Sequence, residues 1–345
     1  MGTLTRSLRQ AARRVLDELG PLLEDPDAPT PFAPRTATAP APAKTYPRVD
    51  PPAAHDPWHP GSRSHRTPTF DDLSEQPDEA LLPPLDRPGL DEAALSPVQR
   101  EWRRDGVVVL KNLIPGELID AYLRVREQHS DVGGWLCPVP YMHLKEIRDL
   151  CLFKPLSDTL GGLFGDRMGL HLNLTGWRST GLNWHQDTCF NPDFLNSWHC
   201  AVWIALDEIH PDSGPFEYVP GSHRWAVTRQ RRIHAYLQPD EAARPDWQKT
   251  AERFMAPAFE REIQRSGAPV KQFLARRGDV LVWHPALVHR GATPKDPTLL
   301  RKAIISHFSA VSRRVDMPHV TTTEDGAPYF ALHGFPLDAG ATEQA

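Results

Sequence analysis

Proline is the residue that most restricts how this chain can fold. Of its 36 prolines, 18 lie between Pro21 and Pro97. Proline lacks a backbone donor and restrains the residue before it, so few segments of that region can form a helix or a sheet ladder. Residues 26–94 are therefore predicted to be a linker or an arm that wraps over a surface, and a regular domain must come from the rest of the chain.

The overall composition is that of a globular protein. The chain has 345 residues, of which 40% are hydrophobic and 24% are charged, and its formal net charge is −5. This charge argues against a broad basic surface for nucleic acid. No apolar run reaches the roughly 18 residues of a membrane span. The four cysteines show no CxxC spacing, which favours reduced thiols of a cytoplasmic protein over a disulfide framework.

Residues 1–25 are predicted to form an amphipathic helix. Apolar residues recur there at steps of three and four, as on one helix face: Leu4, Leu8, Ala12, Val15, Leu19 and Leu22. Asp17 and Glu18 argue against a transit peptide. We expect a docking helix, so self-association or a protein partner would use this helix and the proline-rich arm.

From residue 95 to 335 the pattern is that of a folded domain, followed by a flexible tail over 336–345. Ser96 is a helix N-cap, Pro97 suits the first helical position, and Gly106 ends the helix. A β-branched strand (107–112) and a second helix (115–128) follow. The domain is predicted to open helix, strand, helix.

Beyond residue 168 the predicted elements are short. Gly, Pro, Asn and Asp separate apolar runs that predict strands over 171–177, 198–208, 216–222, 278–285 and 301–311. A helical insertion is expected over about 225–265, with a helix that Pro257 interrupts. Many short strands with one helical insertion predict a mainly β fold with flanking helices (α+β), built on a jelly-roll core.

The stretch GLNWHQDTCF (181–190) contains a candidate metal-binding pair. His185 and Asp187 are two residues apart, so in an extended segment their side chains project from the same face. An imidazole with a carboxylate suits Fe(II), Mn or Zn. Taken alone, this pair is a weak signal that also occurs by chance, and a polar patch on a strand is the simpler interpretation, so the site requires a third ligand.

The third ligand is expected in GDVLVWHPALVHRG (278–291), which contains His284 and His289. His284 lies inside the predicted strand, where it could be a buried, hydrogen-bonded histidine. We prefer His289, because Arg301 opens the next strand. Two histidines and a carboxylate leave one face of an octahedral iron open to a keto acid. The planar fork of Arg301 would pair with the distal carboxylate of that acid. The alternative for Arg301 is an ordinary surface arginine.

Four sequence blocks, in this order, resemble those of the phytanoyl-CoA dioxygenase family. Members of this family are Fe(II)- and 2-oxoglutarate-dependent oxygenases with a double-stranded β-helix (jelly-roll, cupin-like) core. The resemblance covers about residues 95–312. The blocks are RDGVVVLKNLIPGELID, WHQD, AVWIALDEIHPDSGPFEYVPGSH, and GDVLVWHPALVHRGA with Arg301. Four ordered motifs are far more specific than any one of them.

The resemblance implies Fe(II), 2-oxoglutarate and O₂ as cofactors. It places the iron ligands, which are also the catalytic residues, at His185, Asp187 and His289. It places the arginine that binds the 2-oxoglutarate carboxylate at Arg301. Related halogenases carry a small residue where this chain has Asp187, so we expect hydroxylation or a related oxidation.

Further cosubstrate contacts are implied less directly. Trp203 is similar to an aromatic residue that lines the 2-oxoglutarate pocket. Asn173 and Thr175, on one face of the predicted strand 171–177, are candidate polar contacts. The position two residues after the distal histidine, often a hydrogen-bond donor in the family, is Gly291 here.

The substrate is expected to be a small organic molecule such as a lipid-like acid, an amino acid or a secondary metabolite. Four basic residues of the insertion could meet an anionic substrate or could be solvated: Arg229, Arg231, Arg232 and His234. Two other functions remain open at this point. One is a cupin-like isomerase or hydrolase that does not use 2-oxoglutarate, and the other is a degenerate oxygenase that acts as a scaffold.

Overall fold

The structure is a computed structural model that describes residues 67–135, 137–179, 183–244 and 246–332. The predicted N-terminal helix (1–25), residues 26–66 of the proline-rich segment, and the predicted tail (336–345) lie outside the described residues. The strands are β1 Ser74–Glu75, β2 Val107–Leu110, β3 Met168–Leu174, β4 His199–Ala205, β5 Phe216–Tyr218, β6 Val227–Thr228, β7 Lys271–Phe273, β8 Val280–Trp283, β9 His289–Gly291, β10 Ala303–Ala310, β11 Val320–Thr322 and β12 Pro328–Phe330. The helices are α1 Phe70–Leu73, α2 Pro97–Asp105, α3 Gly116–His129, α4 Lys145–Cys151, α5 Lys154–Phe164, α6 Gln230–His234, α7 Pro239–Ala242 and α8 Trp247–Ser266.

Two sheets form the core of the domain. The larger sheet has the order β11-β12-β3-β10-β4-β8-β2, and the smaller sheet has the order β7-β5-β9. Strands from distant parts of the chain are neighbours in both sheets, as in a jelly roll. A mainly β fold with flanking helices and a jelly-roll core is therefore confirmed.

The space between the two sheets is filled mainly by aromatic side chains. Trp203 and Trp283 of the larger sheet pack with Phe216 and Phe273 of the smaller sheet. The ring centroids of Phe216 and Trp283 are 4.8 Å apart. Each such side chain buries a large apolar area, so this layer holds the sheets together.

The two faces of the larger sheet have different neighbours. Cross-strand partners lie on the same face. Trp203 is opposite Leu281 and Ile305, and this row faces the smaller sheet. Val202 is opposite Val282 and Ser306 in the adjacent row, which faces the helices. A residue of β3, β4, β8 or β10 can reach the space between the sheets only if it lies on the face toward the smaller sheet.

Helix α2 begins and ends where its sequence predicts. The Ser96 side chain accepts a hydrogen bond from the Gln99 backbone, and the Gln99 side chain caps Ser96 in return. Gly106 closes the helix with a φ of 70°, a conformation that favours glycine. Trp102 is 1% exposed and packs with Phe164 of α5. The predicted opening of helix, strand and helix is thus present as α2, β2 and α3.

Helix α8 differs from its prediction. It runs without interruption from Trp247 to Ser266, with Pro257 inside it. Proline in a helix interior costs about 3 kcal/mol. Three large side chains on both sides of Pro257 are buried, each contributing roughly 1.5–3 kcal/mol: Phe254, Met255 and Phe259. Their burial outweighs the cost, so the predicted interruption at Pro257 is wrong.

Residues 67–95 pack against the domain. Phe70 and Leu73 are buried, and β1 pairs with β6. The carboxylate of Glu75 in β1 binds three arginines: Arg229, Arg231 and Arg232. The arginines that could have met an anionic substrate are therefore paired within the protein.

The described part of the chain contains no helix with the length and apolar character of a membrane span.

Candidate metal centre

The backbones of the two predicted histidine ligands are paired directly. The His185 amide donates to the His289 carbonyl at 3.1 Å, and the His289 amide donates to the His185 carbonyl at 3.0 Å. His289 lies in β9, a strand separate from β8, so the predicted strand over 278–285 ends before it. This antiparallel bridge brings together two residues that are about a hundred positions apart. Their ring centroids are 4.3 Å apart.

Backbone contacts fix which nitrogen of each ring faces the centre. His185 Nδ1 lies 2.7 Å from the Asn183 carbonyl, and His289 Nδ1 lies 2.9 Å from the Leu287 carbonyl. A carbonyl can only accept, so each Nδ1 carries a proton and donates it. In the neutral ring Nε2 then has a free lone pair, which is the state that a metal requires.

Asp187 completes the group. Its Oδ1 lies 3.5 Å from His185 Nε2 and 3.6 Å from His289 Nε2. All three side chains are buried, and one ligand atom from each lies within 4.8 Å of the others. Burial would raise the pKa of Asp187, but His289 and His185 outweigh it and hold that pKa well below its ordinary value. Burial lowers the pKa of His289 to about 4, against the opposing effect of Asp187.

The second oxygen of Asp187 is held by Trp283. The indole Nε1 of Trp283 donates to Asp187 Oδ2 at 3.0 Å. Asp187 therefore presents Oδ1 to the two histidines while Oδ2 is occupied. Trp283 was not among the residues expected from the sequence. Trp283 directly precedes His284, so in an extended segment the two side chains point to opposite faces. If His284 faces the helices, Trp283 must face the space between the sheets.

Gln186, between the two ligands, ties this segment to the rest of the domain. Its Nε2 donates to the carbonyls of Ala226 and Ala286, and its Oε1 accepts from both the amide and the hydroxyl of Thr228. With Gln186 turned away from the centre and fully satisfied, His185 and Asp187 are held on the opposite side. Cys189 is a buried thiol that donates to the Gln186 carbonyl.

Aromatic rings cover the two histidines. The ring of Phe216 stacks on His289, with centroids 5.1 Å apart and an interplanar angle of 19°. Phe190 lies 5.5 Å from His185 and 6.2 Å from Trp247 of the insertion. These contacts limit how the imidazoles can turn and reduce their exposure to water.

Arg301 is a buried cation that has no acidic partner among the described residues. It is 6% exposed, its Nη1 donates to the Gly214 carbonyl at 2.9 Å, and its Nε has no hydrogen-bond partner among the described residues. Its carbon Cζ lies 5.6 Å from the centre of the Trp203 ring. Burial lowers its pKa to about 10, so it is charged at neutral pH. A buried charge of this kind is costly unless a ligand pairs with it.

The candidate polar contacts on β3 lie elsewhere. Asn173 is opposite Ser306, on the sheet face toward the helices, and its Nδ2 donates to the Ser306 hydroxyl at 2.9 Å. The Thr175 hydroxyl accepts from the Trp135 amide, outside β3, which ends at Leu174. In this structure Asn173 and Thr175 therefore contact other parts of the protein, and their role as cosubstrate contacts stays a prediction. Trp203 does lie between the sheets.

His284 does not join the group. Its Nδ1 accepts from the Ala286 amide at 3.0 Å, so Nε2 carries the proton, and Nε2 lies 3.0 Å from Asp86 Oδ2. The ring packs 5.5 Å from Trp102, on the helical side. His284 is thus a buried, hydrogen-bonded histidine that joins residues 67–95 to β8.

Residues 162–296 match the family model described as phytanoyl-CoA dioxygenase (PhyH), which confirms the resemblance that the motifs predicted. The matched segment includes all three residues of the metal-binding group. No curated protein matches the chain.

Several solved structures are similar to this chain. EctD from S. alaskensis in its apoform has a TM-score of 0.49 and 17% identity, covering 72% of this chain and 88% of its own. AviO1 from Streptomyces viridochromogenes Tue57 has a TM-score of 0.43 and 18% identity, covering 65% and 97%. The alpha-ketoglutarate-dependent epimerase SnoN from nogalamycin biosynthesis has a TM-score of 0.42 and 17% identity, covering 64% and 84%. At these identities the likeness concerns the fold and assigns no activity to this chain.

Proposed function

We propose that this protein is an Fe(II)- and 2-oxoglutarate-dependent dioxygenase that hydroxylates a small organic molecule. The observation that carries the proposal is the combination of a buried His–Asp–His group with a buried arginine that has no acidic partner in the described parts of the chain. The family model over residues 162–296 supports the same activity.

The residues present fit both cofactors. Two imidazole nitrogens and one carboxylate oxygen form the ligand set that non-haem Fe(II) oxygenases use, with the remaining positions open. Both histidines already present Nε2 as the acceptor. The unpaired Nε of Arg301 is the donor that the distal carboxylate of 2-oxoglutarate would satisfy. Arg301 and Trp203 would then form the 2-oxoglutarate pocket.

When bound, iron and 2-oxoglutarate supply the oxidation of a C–H bond by O₂, with release of succinate and CO₂. The protein contributes position and environment. His185, Asp187 and His289 would hold the metal, and Trp283 would fix which oxygen of Asp187 faces it. Asp187 fills the ligand position that halogenases leave to a halide, which favours hydroxylation.

The unpaired Arg301 also separates this proposal from the two other functions. A cupin-like isomerase or hydrolase that does not use 2-oxoglutarate has no need for a buried cation beside its metal. A scaffold has no need for three converging ligands. The buried cation and the three buried, converging ligands each carry a free-energy cost. A bound keto acid and a bound metal would offset these costs.

The test is succinate release by the Fe(II)-loaded protein with 2-oxoglutarate and chemically diverse substrate pools, with His185→Ala as the blank. We expect succinate above the blank with at least one pool and none after iron is replaced by zinc. Binding of 2-oxoglutarate to the metal-loaded protein is measured separately. If the loaded protein neither binds 2-oxoglutarate nor forms succinate, the proposal fails. Activity that survives with zinc would instead favour the cupin-like isomerase or hydrolase.

A further inference from the structure

Three buried or partly buried histidines outside the metal centre share the sheet face that looks toward it. His307 of β10 is opposite Ala201, which in turn is opposite Trp283, the residue that holds Asp187. Two positions further along β10, Ser309 is opposite His199 of β4. We refer to His171, His199 and His307 as the histidine patch.

His171 reaches this face through an irregularity in β3. The register between β3 and β10 shifts between His307 and Phe308, and His171 is the residue left without a cross-strand partner. Its ring lies 6.2 Å from the His307 ring, and its Nδ1 lies 3.2 Å from the Ser309 hydroxyl. A β-bulge redirects a side chain in this way, and here it adds a third imidazole to the patch.

The patch lies on the side of the metal centre away from Arg301. Along the chain direction, Arg301 comes first, just before β10 begins. Ile305 follows, opposite Trp203, and His307 comes next, at the level of Trp283. Ser309 and His199 lie beyond that level. A 2-oxoglutarate molecule held by Arg301 and the metal would therefore leave the patch free for the second substrate.

One N–H donor of the patch has no acceptor among the described residues. Asn191 Nδ2 donates to the Asp187 carbonyl at 3.1 Å, which identifies this atom as the amide nitrogen, and it lies 3.1 Å from His199 Nε2. Nε2 of His199 must then accept, so Nδ1 carries the proton. That Nδ1 is buried and has no partner in the described parts of the chain. An unsatisfied buried donor costs about 1–3 kcal/mol.

No carboxylate is hydrogen-bonded to any of the three imidazoles within the residues that the structure describes. His199 is 1% exposed and His171 is 8% exposed, whereas His307 is partly exposed and forms the accessible end of the patch. The nearby Arg314 is buried and pairs with Asp316 at 2.9 Å, and its Nε has no partner among the described residues. The negative charge that acts on His199 and His307 is that of Asp187. A bound metal would offset this charge, so the patch would offer the unpartnered His199 donor to a further anion.

We propose that the histidine patch is a subsite that binds a carboxylate of the organic substrate. The inference rests on the proposed function, because it assigns the patch to the molecule that is oxidised. The charges of a divalent metal, Asp187, Arg301 and 2-oxoglutarate cancel, so a substrate carboxylate meets no net repulsion. Its oxygens supply the acceptor that His199 Nδ1 lacks, and hydrogen bonds to a charged acceptor are the stronger kind.

The test compares carboxylic acids with their primary amides, because the pair has the same shape and differs in charge. The probes are benzoate, cyclohexanecarboxylate and hexanoate, each with its amide, added to protein loaded with zinc and 2-oxoglutarate. Zinc prevents turnover. Imidazole signals are followed by NMR of the ¹⁵N-labelled protein, with the exposed His319 as the internal control. We expect at least one acid to shift the signals of the three patch histidines and to bind roughly tenfold more tightly than its amide.

Two substitutions at one position provide the matched control. His199→Leu removes the donor, and we expect binding of that acid to weaken roughly tenfold. His199→Asn places an amide N–H near the position of Nδ1, and we expect it to retain most of the affinity. His307→Leu, at the partly exposed end, repeats the test if His199→Leu does not fold.

Metal and 2-oxoglutarate binding are measured on every variant before the probes are added. If the wild-type protein binds neither, the proposed function itself fails. If both bind, the carboxylate subsite is overturned by any of three results. In the first, none of the acids shifts the signals of the patch histidines. In the second, the acids bind no more tightly than their amides. In the third, the His199→Leu variant binds the acid as tightly as the His199→Asn variant. A loss of 2-oxoglutarate affinity in His199→Leu would assign the patch to the cosubstrate and would also overturn it.

Discussion

At the scale of single residues, the centre depends on side chains that orient the ligands as much as on the ligands themselves. Asp187 has two oxygens, and only the hydrogen bond from Trp283 decides which of them faces the histidines. The two imidazoles are oriented by backbone carbonyls. Such outer contacts raise metal affinity because they remove the freedom of a ligand to turn away.

We predict that Trp283→Phe weakens metal binding by about tenfold or more, the usual effect of losing such a contact. Phenylalanine keeps most of the aromatic packing with Phe216 but has no donor for Asp187 Oδ2. The measurement is metal affinity by competition with a chelator. Trp135→Phe, at a buried tryptophan in the separate core cluster beneath the helices, is the control. Equal affinity of wild type and Trp283→Phe would show that the indole does not position Asp187.

Arg301 gives a second prediction at this scale. Arg301→Gln should weaken 2-oxoglutarate binding by roughly a hundredfold, because a buried charge pair loses one partner. The unliganded protein should not lose stability, since the substitution removes a buried charge that has no acidic partner within the described residues. Calorimetric titration of 2-oxoglutarate and urea unfolding measure the two effects. Arg277→Gln, at an exposed ion pair with Asp120, is the control. Unchanged 2-oxoglutarate affinity would contradict the role of Arg301.

At the scale of elements, strand β1 carries a carboxylate that joins it to three arginines of the domain. Glu75 binds the guanidinium groups of Arg229, Arg231 and Arg232, and Arg229 is itself buried. The two-residue strand β1 forms few backbone hydrogen bonds with β6. Removal of the charge on Glu75 would take one anion away from three neighbouring cations, of which Arg231 keeps its pair with Asp193.

We therefore predict that Glu75→Gln lowers the free energy of unfolding by about 2 kcal/mol, as expected for breaking a partly buried pair. Residues near β1 should also become more sensitive to proteases. Glu92→Gln provides the contrast, because its pair with Arg103 is exposed on the glutamate side and should contribute under about 1 kcal/mol. Urea unfolding and limited proteolysis measure both variants. Equal losses in the two variants would mean that Glu75 does not fasten β1.

The same carboxylate makes stability depend on pH. Burial would raise the pKa of Glu75, but the hydrogen bonds and charges of the three arginines outweigh burial and lower it. A pKa that is lower in the folded protein stabilises the fold above the ordinary glutamate pKa of about 4.3. That contribution is lost as the pH falls below this value. Unfolding curves between about pH 6 and pH 3 should show a smaller loss for Glu75→Gln than for wild type. Parallel losses would contradict the assignment.

At the scale of the whole molecule, the metal centre joins distant parts of the chain. His185 and Asp187 precede β4, whereas His289 lies in β9 of the smaller sheet. A metal that binds all three holds the smaller sheet to the segment before β4. Because the unfolded chain cannot assemble this group, metal binding should stabilise folding.

We predict that zinc at about a hundred times its dissociation constant raises the free energy of unfolding by at most about 2.7 kcal/mol. Binding of zinc to histidines of the unfolded chain reduces the effect. Asp187→Ala should show little of this stabilisation, because the ligand between the two histidines is missing. Urea unfolding with and without zinc measures both proteins. A gain of the same size in Asp187→Ala would place the bound zinc elsewhere.

The sequence by itself identified the three residues that converge at the candidate metal centre, and the buried Arg301. Residue type and order were sufficient, because few side chains bind a metal and the motifs occur in a specific order. The ends of α2 were also predictable, since the Ser96 and Gly106 signals act over only a few residues. Such local determinants do not depend on the rest of the fold.

Only the tertiary structure decided which face of the larger sheet each side chain occupies. The face of Asn173 depends on its pairing with Ser306, and that of His171 on the bulge, and neither follows from spacing along one strand. Likewise, the bond from Trp283 to Asp187 and the histidine patch arise from strands that are distant in the sequence. The physical reason is that strand register and burial are set by the packing of both sheets and the helices together, whereas caps and ligand types are set locally.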